Sequence, residues 1–266
     1  MTVRSTTAVR VVVVALCLVG VLAAVERTII AVLHQSRDTS GITAIEYAVV
    51  KVLAGVSGVA QGTPRYADLT AGTLAFETKY EANRVFILLH VIPGGLIFLL
   101  APFQFSDRVR RRYVNYHRWT GRVLLVAVAI SGTNAFIFGL FMPFGGWLES
   151  AAVMLFGTLF LYAGARAWVA IRRRDVTTHR EWMTRMFAVA IGIATTRVIS
   201  IGVSALTTLS LREVFLVSLW AGFASSVVGG EITIRRARPR WIRHRLAATS
   251  TLALVLGASF ALSTQG

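Results

Sequence analysis

An all-helical, polytopic transmembrane bundle of about seven spans is the fold this sequence predicts, and three observations predict it. Hydrophobic residues make up 55% of the chain and the mean hydropathy is +0.66, too apolar for a soluble domain of 266 residues. The apolar residues fall in blocks close to the ~20 residues that cross a bilayer. The positive charge, 28 Lys and Arg against 12 Asp and Glu, gathers in short segments between those blocks. In a soluble protein a net charge of +16 would suggest nucleic acid. Arginines at the ends of apolar runs instead face anionic headgroups, so membrane lipids are the expected partners and nucleic acid is not. The one cysteine, Cys17, lies inside the first apolar run, which rules out an internal disulfide and a Cys-based metal site.

Taken in order, the expected spans cover 9–32, 84–105, 120–143, 147–171, 184–208, 212–234 and 246–263. The turn 106–119 holds Arg108, Arg110, Arg111, Arg112 and Arg118, and the turn 172–183 holds Arg172, Arg173, Arg174 and Arg180. The segment 235–245 carries Arg235, Arg236, Arg238, Arg240, Arg243 and Arg245, whereas the alternate turns near Gly145-Gly146 and Ser210-Leu211 are almost free of positive charge. The positive-inside rule then puts the Arg-rich turns and the N-terminus in the cytoplasm of a cell-membrane protein, and the C-terminus outside. Ile42 to Ala60 is apolar enough for an eighth span but carries Glu46 and Lys51, and crossing there would move every later Arg-rich turn outward. Residues 42–59 are therefore read as an interfacial helix, followed by a polar stretch from Gln61 to Arg84. The first run, with Arg4 and Arg10 ahead of it, has a signal-peptide alternative, but apolar residues resume at Thr28–Leu33 and favour a retained anchor. The expected organisation is an anchor span at 1–33, an extracytoplasmic segment with its interfacial helix at 34–83, a five-span core at 84–234, and a basic turn with the last span at 235–266.

Within that core one cassette occurs twice. Arg110-Arg111-Arg112, four residues, then His117-Arg118 returns 62 positions later as Arg172-Arg173-Arg174, four residues, then His179-Arg180. Both lie between a descending and a rising span, so spans two and three form one hairpin and spans four and five form a second in parallel orientation. A pseudo-twofold along the membrane normal would bring His117 and His179 to one depth. His244-Arg245 is a drifted third copy. A neutral imidazole can ligate haem iron or another metal, or hydrogen-bond a quinone. Arg118, Arg122, Arg180 and Arg185 lie within two helical turns of the histidines and supply forks for propionate, carboxylate or phosphate. Arg runs are also plain topological signals, and Trp119 and Trp182 are ordinary interface anchors.

A second polar group lies deeper. Arg197 is about a dozen residues into span five, where an arginine costs at least ~2.5 kcal/mol, so it should face the bundle. His90 and Asn134 are its nearest polar residues by depth, and the three are expected to form one intramembrane cluster. Gly94-Gly95, Gly192 and Gly202 are expected to let helices approach, and Gly121 to leave room for a backbone or a planar ligand beside His117.

The series His90, Gly94, Pro102-Phe103-Gln104-Phe105, His117-Arg118-Trp119-x-Gly121-Arg122, His179-Arg180-x-Trp182-Met183-x-Arg185 and Arg197 resembles the predicted membrane proteins grouped as domain of unknown function 2306. The resemblance covers roughly residues 80–210, and its two His-Arg motifs are the most specific part. It implies a multi-pass membrane protein and assigns no activity. An aromatic expected soon after Gly121-Arg122 is replaced by Val123-Leu124-Leu125, which leaves no tyrosine role there.

Three functional classes follow. The first is a cofactor protein for haem b or quinone near the cytoplasmic face, with His117, His179, Arg118, Arg122, Arg180, Arg185, Trp182 and Gln104 as binding residues, and the two histidines as ligands if a haem or metal is held. The second is a transporter or lipid-binding protein for an anionic group, built on Arg197, Asn134 and His90, with Ser131, Thr133, Thr195, Thr196 and Ser200 lining a polar cavity. The third is a non-catalytic assembly partner of another membrane protein. No nucleophile elbow, His-Glu-x-x-His or Gly-rich phosphate loop is present, and no catalytic residue is assigned.

Overall fold

In the computed structural model of the chain, described over residues 3–33, 51–52, 54–55, 58–81 and 83–237, the described elements are helical. They are α1 (Val3–Leu33), α2 (Pro64–Glu81), α3 (Arg84–Gln104), α4 (Asp107–Arg112), α5 (Val114–Phe141), α6 (Trp147–Arg172), α7 (Val176–Leu206) and α8 (Leu211–Ala237). Six of these, α1, α3, α5, α6, α7 and α8, are long and apolar enough to cross a membrane. Six of the seven expected spans are thus present. The seventh, 246–263, lies outside the described residues, as do most of 42–59 and the basic run beyond residue 237 with His244.

The helix ends follow from local chemistry. Ser106 caps α4 by accepting from the Val109 N–H (3.4 Å), Asp107 occupies its first turn and Arg110, Arg111 and Arg112 its last, which matches charge to the helix dipole. The turn expected across 106–119 is therefore mostly helix, and α5 begins at Val114, which places His117 in its first turn. Asp175 caps α7 by accepting from the Thr178 N–H at 3.0 Å, so His179 is also in a first helical turn. The polar stretch expected from Gln61 to Arg84 is largely α2. Pro64 opens that helix, and the Tyr66 N–H donates to Thr63 Oγ1 (3.3 Å). The helix is then held by burial of Leu69 and by Gly72, where a Cβ would stand 2.9 Å from Leu211.

The chain forms two compact units, Met1–Val227 and Val228–Gly266. In the first, α3 packs on α5 and α6 on α7 as two antiparallel hairpins; α5 contacts α6, α3 contacts α7, and α1 lies against α3 and α7. The core at their junction includes Ile97, Leu124, Val128, Phe160 and Met186. Phe156, in a π-helical turn of α6 (Val153–Gly157), stacks on Phe223 of α8 with centroids 5.0 Å apart. Small residues set the helix spacing, as lipid offers no hydrophobic drive between helices. Gly192 of α7 faces Phe223, where a Cβ would come within 2.7 Å, and Gly95 faces Ala24 of α1. Gly202, expected to do the same, has open space beside it. The described part of the second unit is the end of α8, where Thr233 donates to the Gly229 carbonyl (2.8 Å) and Arg235 and Arg236 occupy the last turn.

Candidate functional site: the His-bearing end of the two hairpins

The first histidine is set by the end of the preceding helix. Gln104, 5% exposed at the last position of α3, donates through Nε2 to the His117 carbonyl (3.3 Å) and to the Thr120 hydroxyl. Thr120 donates onward to the Tyr116 carbonyl at 2.7 Å. The space beside Gly121 belongs to this amide, because a Cβ there would lie 3.3 Å from Gln104 Oε1. That position therefore admits a side chain of the chain itself, where the sequence suggested a backbone or a planar ligand.

The second histidine is tied across its hairpin. His179 Nδ1 lies 2.9 Å from the Ala167 carbonyl of α6, and a carbonyl only accepts, so Nδ1 carries a proton and the tautomer this contact selects has its lone pair on Nε2. The two hairpins use corresponding positions for different contacts. Gln104 meets Thr120 in the first, while the residues 62 positions on, Arg166 and Trp182, meet in the second by a guanidinium 5.3 Å from the indole centroid. The position matching Ala167 is Phe105, where α3 has already ended, and His117 Nδ1 is buried with no hydrogen-bond partner among the described residues. The repeat is thus unequal at the atom that matters for imidazole chemistry.

Charges from both cassettes meet here. Arg110, His179 and Arg118 are the electrostatic neighbours of His117. Asp107 pairs with Arg110 and lies in the field of Arg111 and Arg180. The hydrogen bond and charge of Arg110 hold the Asp107 carboxyl below the usual carboxylate range, helped by Arg111 and Arg180. The Thr178 N–H does the same for Asp175. Arg118, Arg122 and Arg180 are exposed, whereas Arg185 lies 4.7 Å from the Trp182 ring and 3.8 Å from the Glu181 carboxylate. Trp182 is half-buried and meets Tyr162 edge to face, with centroids 5.3 Å apart. Among the described residues no group of three or more His, Cys, Asp and Glu is placed to hold a metal ion.

Deeper in the bundle, His90 Nδ1–H donates to the Ser131 carbonyl (2.8 Å), and the Ser131 hydroxyl donates back to the His90 carbonyl (3.0 Å). This reciprocal tie clips α3 to α5. Asn134, 7% exposed, donates to the Ile130 carbonyl of its own helix at 2.9 Å, and Arg197 is half-buried on α7. Thr195, Thr196 and Ser200 donate to carbonyls one turn back in α7. Thr195 also accepts from Ser226 of α8 (3.0 Å).

Several polar residues of these surroundings were not singled out from the sequence. Thr120 and Tyr162 carry no motif. Glu149, only 7% exposed, accepts from the Gly145 N–H (2.7 Å) at the opposite end of the bundle, and burial alone marks it. The Asp107–Arg110 pair did carry a signal, an acid and a base three residues apart at a helix start.

No curated protein and no solved structure matches the chain. Residues 87–234 match the family described as Predicted membrane protein (DUF2306), so the match runs beyond the expected limit near residue 210 and through most of α8. That stretch is more than half of the chain and contains both His-Arg cassettes, the Gln104 clasp and the helices that position them; this protein belongs to the DUF2306 family of predicted membrane proteins.

Proposed function

We propose that this multi-pass membrane protein binds a redox cofactor of the quinone type at the His-bearing end of its two hairpins, with His117 and His179 as its principal contacts. One observation carries the reading: two imidazoles from duplicated hairpins lie in each other's field, one with Nδ1–H held by a carbonyl and the other with a buried, unpartnered Nδ1. A carbonyl behind Nδ1 is the arrangement that orients an imidazole whose Nε2 faces a ligand. For haem b, a ligating His117 would need a proton on Nδ1 with no acceptor for it, a burial cost of about 1–3 kcal/mol. A quinone needs no proton on Nδ1, because a neutral His117 can donate from Nε2 to a quinone carbonyl, which favours quinone over haem. The exposed Arg118, Arg122 and Arg180 suit a polar headgroup edge, while Trp182 and Arg185 are committed to each other and Gln104 to the α5 backbone. When bound, the cofactor would supply the electron chemistry; the chain would orient it and hold a proton at His117 Nε2. The positive-inside rule places this end, and the N-terminus, on the cytoplasmic side.

The test is an absorbance spectrum and a solvent extraction of the detergent-purified chain, alongside H117A and H179A. Extractable quinone in the wild type, reduced in both variants, is the expected result. Protein without extractable quinone would end the proposal, and a haem absorbance band in its place would assign the site to haem. Transport of an anionic group through Arg197, Asn134 and His90 draws less support, because His90 and Asn134 are bonded to Ser131 and Ile130 and the α7 hydroxyls bond their own helix. The reading as a non-catalytic assembly partner predicts that H117A and H179A change nothing.

A further inference from the structure

We propose that the aromatic–arginine cluster of the second hairpin, Tyr162, Arg166, Trp182 and Arg185, is a binding site for the phosphate of an anionic phospholipid. Arg166 is exposed on α6, with its guanidinium carbon 5.7 Å from the Tyr162 centroid and 5.3 Å from that of Trp182, and its Nη1 donates to the Tyr162 hydroxyl at 3.1 Å. Arg185 adds a second guanidinium 4.7 Å from the same indole. Glu181, 3.8 Å from Arg185, offsets one of the two charges, and among the described residues no carboxylate pairs with Arg166. The cluster therefore keeps a positive charge on a guanidinium whose orientation two rings and a hydroxyl already fix. Such a fork binds phosphate in bidentate fashion with little further ordering cost.

Depth identifies the phosphate. Arg166 precedes the end of α6 at Arg172 by six residues, about 9 Å along the axis. An exposed cation that far inside the end of a span is costly among acyl chains and is relieved when it reaches a headgroup phosphate. Trp168, 41% exposed on the same helix and two residues nearer its end, is an aromatic of the kind that settles at headgroup level. The first hairpin offers no counterpart, because Gln104, Thr120 and Val123 stand where the second has Arg166, Trp182 and Arg185. One such lipid per chain is the consequence.

Native mass spectrometry of the detergent-purified full chain with phosphatidylglycerol or phosphatidylcholine tests this. About one phosphatidylglycerol should be retained, R166Q should weaken retention roughly tenfold, a loss of ~1.4 kcal/mol, and R108Q, at an exposed arginine outside the cluster, should leave it unchanged. R166K, which keeps the charge without the planar fork, should fall between. Equal retention of phosphatidylcholine, equal weakening by R108Q, or full retention by R166K would overturn the site. Displacement of the adduct by millimolar inorganic phosphate would overturn its assignment to lipid.

Discussion

His179 donates its Nδ1–H to the Ala167 carbonyl at 2.9 Å, joining the first turn of α7 to α6 across the second hairpin. His117, its counterpart in the first hairpin, makes no such bond at Nδ1. The two histidines therefore differ in what they contribute to stability. H179A should cost about 1 kcal/mol through the lost hydrogen bond and packing, and H117A should be neutral or slightly stabilising, since it removes a buried unsatisfied nitrogen. Denaturant or thermal unfolding in detergent measures both. Equal losses would contradict the asymmetry.

Gln104 and Gly121 are coupled through the space they share. Q104A should cost about 1–2 kcal/mol by releasing the His117 carbonyl and the Thr120 hydroxyl. G121A places a Cβ 3.3 Å from Gln104 Oε1 and should cost less than about 1 kcal/mol, because the amide can shift by a few tenths of an ångström. With the amide gone, the Cβ meets nothing at that distance, so Q104A/G121A should be more stable than the sum of the single losses. Strict additivity in the double-mutant cycle would show that the two do not touch.

Two glycines of α7 should respond with opposite signs. G192A drives a Cβ to 2.7 Å from the Phe223 ring and 3.1 Å from its Cα, so α8 must move, at about 1–3 kcal/mol. G202A meets nothing within 4 Å and should stabilise by up to about 1 kcal/mol through helix propensity. The same unfolding assay reads both, and a neutral G192A would mean that α7 and α8 are not packed through this contact.

Acid should loosen the His-bearing turns. Asp107 and Asp175 both have folded-state values below the usual carboxylate value, Asp107 through Arg110 and Asp175 through the Thr178 N–H. A group depressed by folding stabilises above its unfolded value, about 3.9 for Asp, and that contribution fades as pH falls through the folded value. The contribution of these two carboxylates should therefore be constant from neutral pH down to about 5 and fade below about 4, so unfolding midpoints should decline less steeply below about pH 4 in D107N/D175N than in the wild type. An identical acid slope in that double variant would assign the loss to other groups.

Much of the fold was legible because membrane spans obey two strong local rules: enough apolar length to cross, and arginines at the turns. The six described spans overlap the expected ones. The Gln61–Arg84 stretch was legible only as polar, and its helix was not, for a complementary reason. Its helix has a polar composition, and it is secured by a Thr63 cap and by contact with Leu211, more than 130 positions away in the chain. The segment 106–119 was read only as an Arg-rich turn between spans, although Ser106 and Asp107 spell a helix start.

The candidate site divides along the same line. The sequence alone determined that the two His-Arg cassettes begin returning helices, because cassette spacing and apolar run length are local properties of the chain. Only the tertiary structure decided which imidazole nitrogen is bonded, that Gln104 fills the space beside Gly121, and that His90 is tied to Ser131. The physical reason is that a hydrogen bond is won or lost over less than an ångström. One helix ending at Gln104 and another running on to Arg172 is enough to make identical motifs unequal.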